Sequence, residues 1–230
     1  MRSGYLADLT WPEVQAAASA GVALVIPVGS TEQHGPHLPL STDTDVAVAL
    51  CAGLVARVTD VLVAPAVAYG SSGEHAGFAG TLSIGQEATE LLLLELGRSA
   101  FDTFQRVVFV SAHGGNAGPV SRAAARLRAE GRRVEVFAAH WDGDPHAGRT
   151  ETSLQLALAP RRVLLANAAA GDVRPLPELL PELISGGVRA VSPNGVLGDP
   201  SGASAAEGDE LLDVLVGRLA TLVSACVAAR

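Results

Sequence analysis

Glu32 and His34 are the first residues in the chain with the chemistry and spacing of metal ligands. They are two residues apart, so in an extended backbone both side chains leave the same face and can reach one ion or two neighbouring ions. Asp43 follows at the expected start of a helix, where free backbone N–H groups favour a carboxylate. His37, in a proline-flanked turn, is expected to have a structural or supporting role. The alternative is a turn with a capping aspartate, a surface glutamate and incidental histidines.

A second polar cluster follows an apolar run that ends at Ala112. It consists of His113, Gly114, Gly115 and Asn116. Paired glycines let the backbone approach a ligand closely, and the Asn116 amide can orient a water or a substrate carbonyl. The backbone N–H groups of the two glycines could also stabilise an oxyanion. A structural histidine before a tight turn is an equally good interpretation of this short motif.

The third cluster joins His146 to Glu151 through a glycine-containing loop. Glu151 falls in the first turn of a predicted helix, so its carboxylate could complement the helix dipole or bind a metal. His146 lies just outside that helix and could exchange protons, although tight-turn packing would also explain it. Glu74 and His75 are interpreted as contacts at the rim of a site or as structural residues. His140, beside a tryptophan, is interpreted as structural.

The sequence lacks the residues that other catalytic chemistries require. All 16 basic residues are arginine, so a lysine Schiff base, a pyridoxal-phosphate anchor and a P-loop lysine are excluded. The sequence contains no G-x-S-x-G, H-E-x-x-H or G-x-G-x-x-G motif, and neither cysteine stands beside a candidate base. A metal-activated water is the nucleophile that remains.

The composition indicates a globular protein with small or neutral partners. The 230 residues carry a net charge of −8 and are 48% hydrophobic but only 4% aromatic, which argues against nucleic-acid and membrane-surface partners. Cys51 and Cys226 both lie in apolar helical contexts and suggest neither a disulfide framework nor a zinc site. Since residues 1–8 lack the apolar run of a signal peptide, we expect a cytoplasmic protein.

Apolar runs alternate with helical periodicity, which predicts a three-layer α/β/α domain over residues 1–230 with a mainly parallel sheet. Leu91, Leu94 and Phe101 are expected on the buried side of the second long helix. The segment 174–202 is dense in Pro and Gly, and its part 189–202 is predicted to be a loop and is the candidate for substrate recognition or subunit contact. Strands are predicted at 23–28, 61–67, 106–112 and 134–139, and helices at 44–58, 87–104, 122–130, 150–158 and 205–229.

Taken together, these separated motifs resemble the creatininase family of metal-dependent amidohydrolases. The resemblance extends over nearly the whole chain, and it is closest to the branch of the family that acts as peptidases in mycofactocin biosynthesis. The motifs that carry it are Gly29-Ser30-Thr31-Glu32-Gln33-His34-Gly35, Thr42-Asp43, His113-Gly114-Gly115-Asn116, His146-Ala147-Gly148 and Glu151-Thr152-Ser153. The segments 69–75, 80–85 and 191–200 look characteristic of that branch.

The resemblance implies a site with two divalent ions, Zn, Fe(II) or Mn. It makes metal ligands of Glu32, His34, Asp43 and His113, with Asp43 bridging the ions. Creatininase carries a further glutamate ligand two residues after the matching histidine, but that position here is Gly115. We expect Glu151 to supply the missing carboxylate.

The activity implied by the resemblance is amide hydrolysis in a homo-oligomer. The ions would activate a water, His146 would pass a proton to the departing nitrogen, and Asn116 would assist. Gly114, Gly115, Glu74 and His75 would contact the substrate. That substrate is implied to be a modified precursor peptide, from which a C-terminal Val-Tyr dipeptide is released. The alternatives are hydrolysis of creatinine or another small amide by the same kind of site, and a metal-binding scaffold without activity.

Overall fold

Four parallel strands form the sheet at the centre of this computed structural model, which describes residues 3–228. The strands are β1 (Ala23–Val28), β2 (Val61–Val63), β3 (Arg106–Ser111) and β4 (Arg133–Ala138), in the spatial order β2-β1-β3-β4. Every residue of β1 and β3 is buried. Such continuous apolar strands are typical of a parallel sheet covered on both faces.

Helices cover both faces of this sheet. The helices are α1 (Trp11–Ser19), α2 (Thr42–Val55), α3 (Gly85–Ala100), α4 (Ala117–Ala129), α5 (Arg149–Leu158), α6 (Leu176–Val191) and α7 (Ala205–Ala228). Buried side chains of α1, α3 and α4 pack with Leu24 and Ile26 of β1. Those of α2, α5 and α7 pack with Val25 on the opposite face. The predicted three-layer α/β/α fold is therefore confirmed.

The predicted loop at 189–202 begins only after Val191, because the chain before it forms α6, a helix that the sequence analysis did not predict. This helix contains Pro181 and bends at Gly187, whose φ of 69° lies in the left-handed region that favours glycine. Proline and glycine are helix-breaking signals, so they obscured the helical spacing of the leucines here. Ala229, the last residue of the predicted C-terminal helix, lies outside the described residues, as do Met1, Arg2 and Arg230.

Three other expectations need correction. β2 ends at Val63 rather than at residue 67, and α4 begins at Ala117 rather than at residue 122 because a short 3-10 turn leads directly into it. In α3, Leu91 is exposed and Leu93 is buried instead, while Leu94 is buried as expected. The consecutive leucines at 91–94 left the buried face of this helix ambiguous in the sequence.

The apolar helix α7 has the length and composition to cross a membrane. In the structure it packs against α2 and α5, with Leu215, Val216, Leu219 and Val223 buried in their shared cluster. It therefore forms one of the layers that cover the sheet.

The two leucines of α3 give a matched test of this packing. Leu93→Ala removes a side chain that is 0% exposed and should lower the free energy of unfolding by about 2–5 kcal/mol. Leu91→Ala removes one that is 55% exposed, so it should cost less than about 1 kcal/mol. Urea denaturation of both variants measures the difference, and equal losses would contradict the assigned face of α3.

Candidate metal centre

The three polar clusters meet at the carboxyl edge of the sheet. Glu32 and His34 follow β1, His113 follows β3, and His146 lies in the connection that leaves β4. Asp43 stands in the first turn of α2 and Glu151 in the first turn of α5. Since the strands are parallel, their carboxyl ends gather loops that are distant in sequence at one edge.

Asp43 lies at the middle of this group. Its Oδ1 is 3.3 Å from His34 Nε2, and its Oδ2 is 3.1 Å from His113 Nδ1. Ser30 donates a hydrogen bond of 2.6 Å to Oδ2. Asp43 therefore faces one histidine with each oxygen, and both histidines present a ring nitrogen to it.

Glu32 is completely buried, and its two carboxylate oxygens also divide between histidines. Oε1 lies 3.2 Å from His75 Nε2, and Oε2 lies 3.1 Å from His113 Nε2. Neither oxygen has a partner with hydrogen-bond geometry among residues 3–228, and the same holds for His34 Nε2. Buried polar atoms are normally satisfied, so three unsatisfied ligand-type atoms at one place indicate a missing partner such as a cation.

Glu151 and His146 also lie close to this group of residues. Glu151 Oε2 accepts a hydrogen bond of 2.5 Å from the backbone N–H of Ala147 and lies 3.8 Å from His34 Nε2. Ala147 has a φ of 52°, an uncommon left-handed conformation for alanine that turns the chain between the two functional residues. His146 Nδ1 lies 3.8 Å from Glu32 Oε1.

These residues fit two metal sites that share Asp43. Glu32, Asp43 and His113 bring ligand atoms within 4.8 Å of one another, and so do His34, Asp43 and Glu151. A third combination, Glu32 with His34 and His146, meets the same limit. Carboxylates and imidazoles are the ligands that Zn, Fe(II) and Mn accept in hydrolases.

The outer nitrogens of the two histidine ligands also fit. His34 Nδ1 lies 3.2 Å from the backbone carbonyl of Glu32, and His113 Nε2 lies 2.8 Å from that of Ser71. Donating one N–H to a carbonyl leaves the other nitrogen with its lone pair, as a metal requires. In both residues that second nitrogen is the one nearest Asp43.

The electrostatics of the group show a need for positive charge. Burial and the charge of Asp43 raise the pKa of Glu32 to about 7, and burial raises that of Glu151 to about 6. Burial alone would lower the pKa of His34 and of His113, but the surrounding carboxylates raise each to about 10. The carboxylates thus draw protons onto the histidines, and a bound cation would supply the same charge.

His75 and His146 differ from these two. Burial and the charges of His34 and His113 lower the pKa of His75 to about 3, and burial with His34 and His75 lowers that of His146 well below its usual value. Both imidazoles are therefore neutral at pH 7.

A cleft of about 1060 Å³ opens above the centre. Glu32, Asp43, His113, His146 and Glu151 line its floor, and Gly114 and Gly115 lie beside them. One wall is α6, which sequence analysis missed. This helix contributes the side chains of Leu176, Leu180, Leu183 and Ile184, and Ile184 is 83% exposed.

Asn116 has a different position from the expected one. It is fully buried, its Oδ1 accepts from the Ser71 N–H at 2.9 Å, and its Nδ2 donates to the Gly29 carbonyl at 2.9 Å. Within the described chain it is not among the residues that line the cleft. The amide ties two backbone segments together, so the structure gives Asn116 a structural role, and its expected catalytic role stays a prediction.

Gly115 explains how Glu74 comes close to the centre. A β-carbon at Gly115 would collide with Glu74 Oε1, the Ser71 carbonyl and His113 Nε2. The Glu74 carboxylate therefore occupies the space of the absent side chain, 3.8 Å from His113 Nε2, and it lines the cleft with His75. His37 is buried below the site and bonds Thr152 at 2.8 Å, and His140 lies exposed at the edge of the cleft.

Comparison with known proteins agrees with this arrangement. The creatininase family model, described as creatinine amidohydrolase, matches residues 7–223. The chain belongs to the creatininase family. Among curated relatives, the mycofactocin precursor peptide peptidase of Mycobacterium tuberculosis (strain ATCC 25618 / H37Rv) is 51% identical over 86% of this chain and 83% of its own. The creatinine amidohydrolase of Pseudomonas putida is 31% identical over 69% and 73%.

Solved creatininase structures share the fold and include metal-bound forms. A variant creatininase of Zn-Zn type superimposes with a TM-score of 0.82 at 26% identity, covering 97% of this chain and 98% of that one. A manganese form has a TM-score of 0.81 at 26% identity, with coverage of 96% and 98%. Members of the creatininase family thus hold metal in this fold, and the candidate clusters of this chain have the corresponding chemistry.

Removal of the shared carboxylate tests the metal assignment. Asp43→Asn should weaken metal affinity by more than the roughly 10- to 100-fold that loss of a supporting partner costs, because Asp43 belongs to both groups of ligands. Asp45→Asn is the matched control, since this aspartate of the same helix bonds Ser41 and Arg162 away from the centre. Metal content after dialysis is measured by elemental analysis. Full metal retention in Asp43→Asn would contradict the assignment.

Proposed function

We propose that this member of the creatininase family is a metal-dependent peptidase that acts on the mycofactocin precursor peptide and releases its modified C-terminal Val-Tyr dipeptide. The observation that carries the hydrolase assignment is the pair of ligand groups sharing Asp43 on the floor of a wide cleft. Relatives at about 50% identity that are named as peptidases of this precursor support the substrate.

Two divalent ions, Zn, Fe(II) or Mn, fit the residues present. Glu32, Asp43 and His113 would hold one ion, and His34, Asp43 and Glu151 the other. Such ions supply the charge that acidifies a water and polarises an amide carbonyl. Glu151 takes the place of the glutamate that creatininase carries where this chain has Gly115. Its Ala147 hydrogen bond fixes the carboxylate beside His34.

His146 is the proposed proton carrier. It is neutral and buried, and it presents Nδ1 to the centre while its backbone is tied to Leu197 by hydrogen bonds of 3.2 and 2.9 Å. A neutral imidazole with a free lone pair can take a proton from an attacking water and give it to the departing nitrogen. An amide bond is cleaved readily when its nitrogen departs as a neutral amine, which this proton transfer allows.

The cleft suits a peptide better than a small amide alone. Its volume is about 1060 Å³, and the exposed leucines and isoleucine of α6 offer an apolar wall to side chains such as valine and tyrosine. Gly114, Gly115, Glu74 and His75 also line the cleft and are the proposed substrate contacts. The segment 189–202 lies partly at this wall, where Leu197 lines the cleft.

We also propose a single domain, a cytoplasmic location and a homo-oligomer. One sheet carries both helical layers, and the family model runs from residue 7 to residue 223. Cys51 and Cys226 are free cysteines, which suits a reducing compartment. Exposed apolar residues on α6 could contact a second copy where they do not contact substrate.

Release of the dipeptide is the decisive test of the substrate. Metal-loaded enzyme incubated with the modified precursor peptide should produce the C-terminal dipeptide, detected by mass spectrometry. A precursor with charged residues in place of Val and Tyr is the control and should be a poor substrate, because the α6 wall is apolar. Turnover of creatinine without dipeptide release would favour the small-molecule amidohydrolase. Metal binding without either reaction would favour the scaffold.

His146→Ala separates catalysis from metal binding. We expect it to keep its metal and to lose activity by about 100- to 10,000-fold, since the lost group is a general acid–base. Activity and metal content are measured on the same sample. Loss of metal together with activity would instead assign His146 to the ligand group that it forms with Glu32 and His34.

A further inference from the structure

Gln33 stands between two metal-ligand candidates in sequence, and its side chain is buried behind them. Its Nε2 lies 2.8 Å from His75 Nδ1 and 3.0 Å from the carbonyl oxygen of Gly195. Its Oε1 accepts a hydrogen bond of 2.9 Å from the Gly35 N–H. The same Nε2 is also 3.0 Å from His146 Nε2. One amide therefore touches both His75 and His146.

The hydrogen-bond partners fix the orientation of this amide. Gly35 offers an N–H and Gly195 a carbonyl, so exchanging Oε1 with Nε2 would place donor against donor and acceptor against acceptor. Nε2 has two hydrogens, which go to the Gly195 carbonyl and to His75 Nδ1. His75 must then accept on Nδ1 and carry its proton on Nε2, which faces Glu32 Oε1 at 3.2 Å.

Counting the two hydrogens on Gln33 Nε2 also determines the tautomer of His146. Both Gln33 hydrogens are already used, and His146 Nε2 lies 2.9 Å from the backbone carbonyl of Gln33. A proton on His146 Nε2 satisfies that carbonyl. Nδ1 then keeps its lone pair, and this is the nitrogen that faces Glu32 Oε1 at 3.8 Å.

We propose that Gln33 is a positioning residue that makes His75 and His146 turn different ring nitrogens, one protonated and one not, toward the metal centre. The protonated Nε2 of His75 lies 3.2 Å from Glu32 Oε1, and the unprotonated Nδ1 of His146 lies 3.8 Å from the same oxygen, in the lining of the cleft. The catalytic consequence rests on the proposed function, whereas the two tautomers follow from the hydrogen bonds alone.

The chain after α6 completes the arrangement. Gly195 has a φ of 82°, and a β-carbon there would collide with Gln33 Oε1. The backbone of this segment therefore packs directly on the amide, and Leu197 pairs with the backbone of His146. Gln33 is thus held from both sides, which explains why a glutamine between two ligand candidates is fully enclosed.

The test is a measurement of the tautomers by NMR. Protein labelled with ¹⁵N-histidine is loaded with Zn²⁺, and long-range ¹H–¹⁵N spectra report which ring nitrogen of each histidine carries the proton. Substitution of single histidines by glutamine assigns the signals. The wild type should show His75 and His146 both protonated on Nε2. A proton on Nδ1 of His75 would overturn the proposal even if a variant of Gln33 does not fold.

Gln33→Met keeps the size of the side chain and removes its hydrogen bonds. His75 should then lose its single tautomer and show both forms. Gln155→Met is the matched control, because Gln155 is also buried but bonds the Thr42 carbonyl rather than a histidine. It should leave the histidine spectra unchanged, and so should not reproduce the effect of Gln33→Met. An unchanged His75 signal in Gln33→Met would contradict the proposal.

Kinetic measurements on the same variants test whether the positioning of the histidines by Gln33 contributes to catalysis. Gln33→Met should lower kcat by about 10- to 100-fold with little change in KM, as expected for loss of a residue that orients others. If the wild type shows the proposed tautomers but does not cleave the peptide, the proposed function is overturned and the role of Gln33 is not. A loss of kcat in Gln33→Met with unchanged tautomers would overturn the role of Gln33 alone.

Discussion

Three buried carboxylates within reach of one another set the central constraint on this molecule. Glu32, Asp43 and Glu151 all lie around His34, and none is more than slightly exposed. Negative charges at such short range in a dry interior are costly unless cations balance them. In the protein alone, protonated histidines provide that balance. The same geometry offers oxygen and nitrogen ligands to divalent metal.

The fold makes this concentration of charge possible. Parallel strands deliver Glu32, His34 and His113 to one edge, and the starts of α2 and α5 bring Asp43 and Glu151 to the same place. Backbone N–H groups at helix starts favour the two carboxylates there. The aliphatic layers on both faces of the sheet then fix the spacing between helices and strands. Ligands that are 117 residues apart therefore lie 3.8 Å from each other, as His34 and Glu151 show.

Much of the site could be predicted from the sequence because its strongest signals are local. The two-residue spacing of Glu32 and His34 and the helix-start positions of Asp43 and Glu151 follow from short-range geometry. Gln33 was missed because its partners His75, His146 and Gly195 are 42, 113 and 162 residues away. The structural role of Asn116 could not be predicted, because its sequence neighbourhood does not show that both ends of its amide bind backbone. Helix α6 was missed because proline and glycine hid its periodicity.

The most direct test of the two-site account is anomalous diffraction from crystals of the protein grown with Mn²⁺ or Zn²⁺. The account predicts two peaks about 3.5–4 Å apart, with one Asp43 oxygen on each and with His34 and His113 on different ions. A single peak, or two peaks that do not share Asp43, would contradict it.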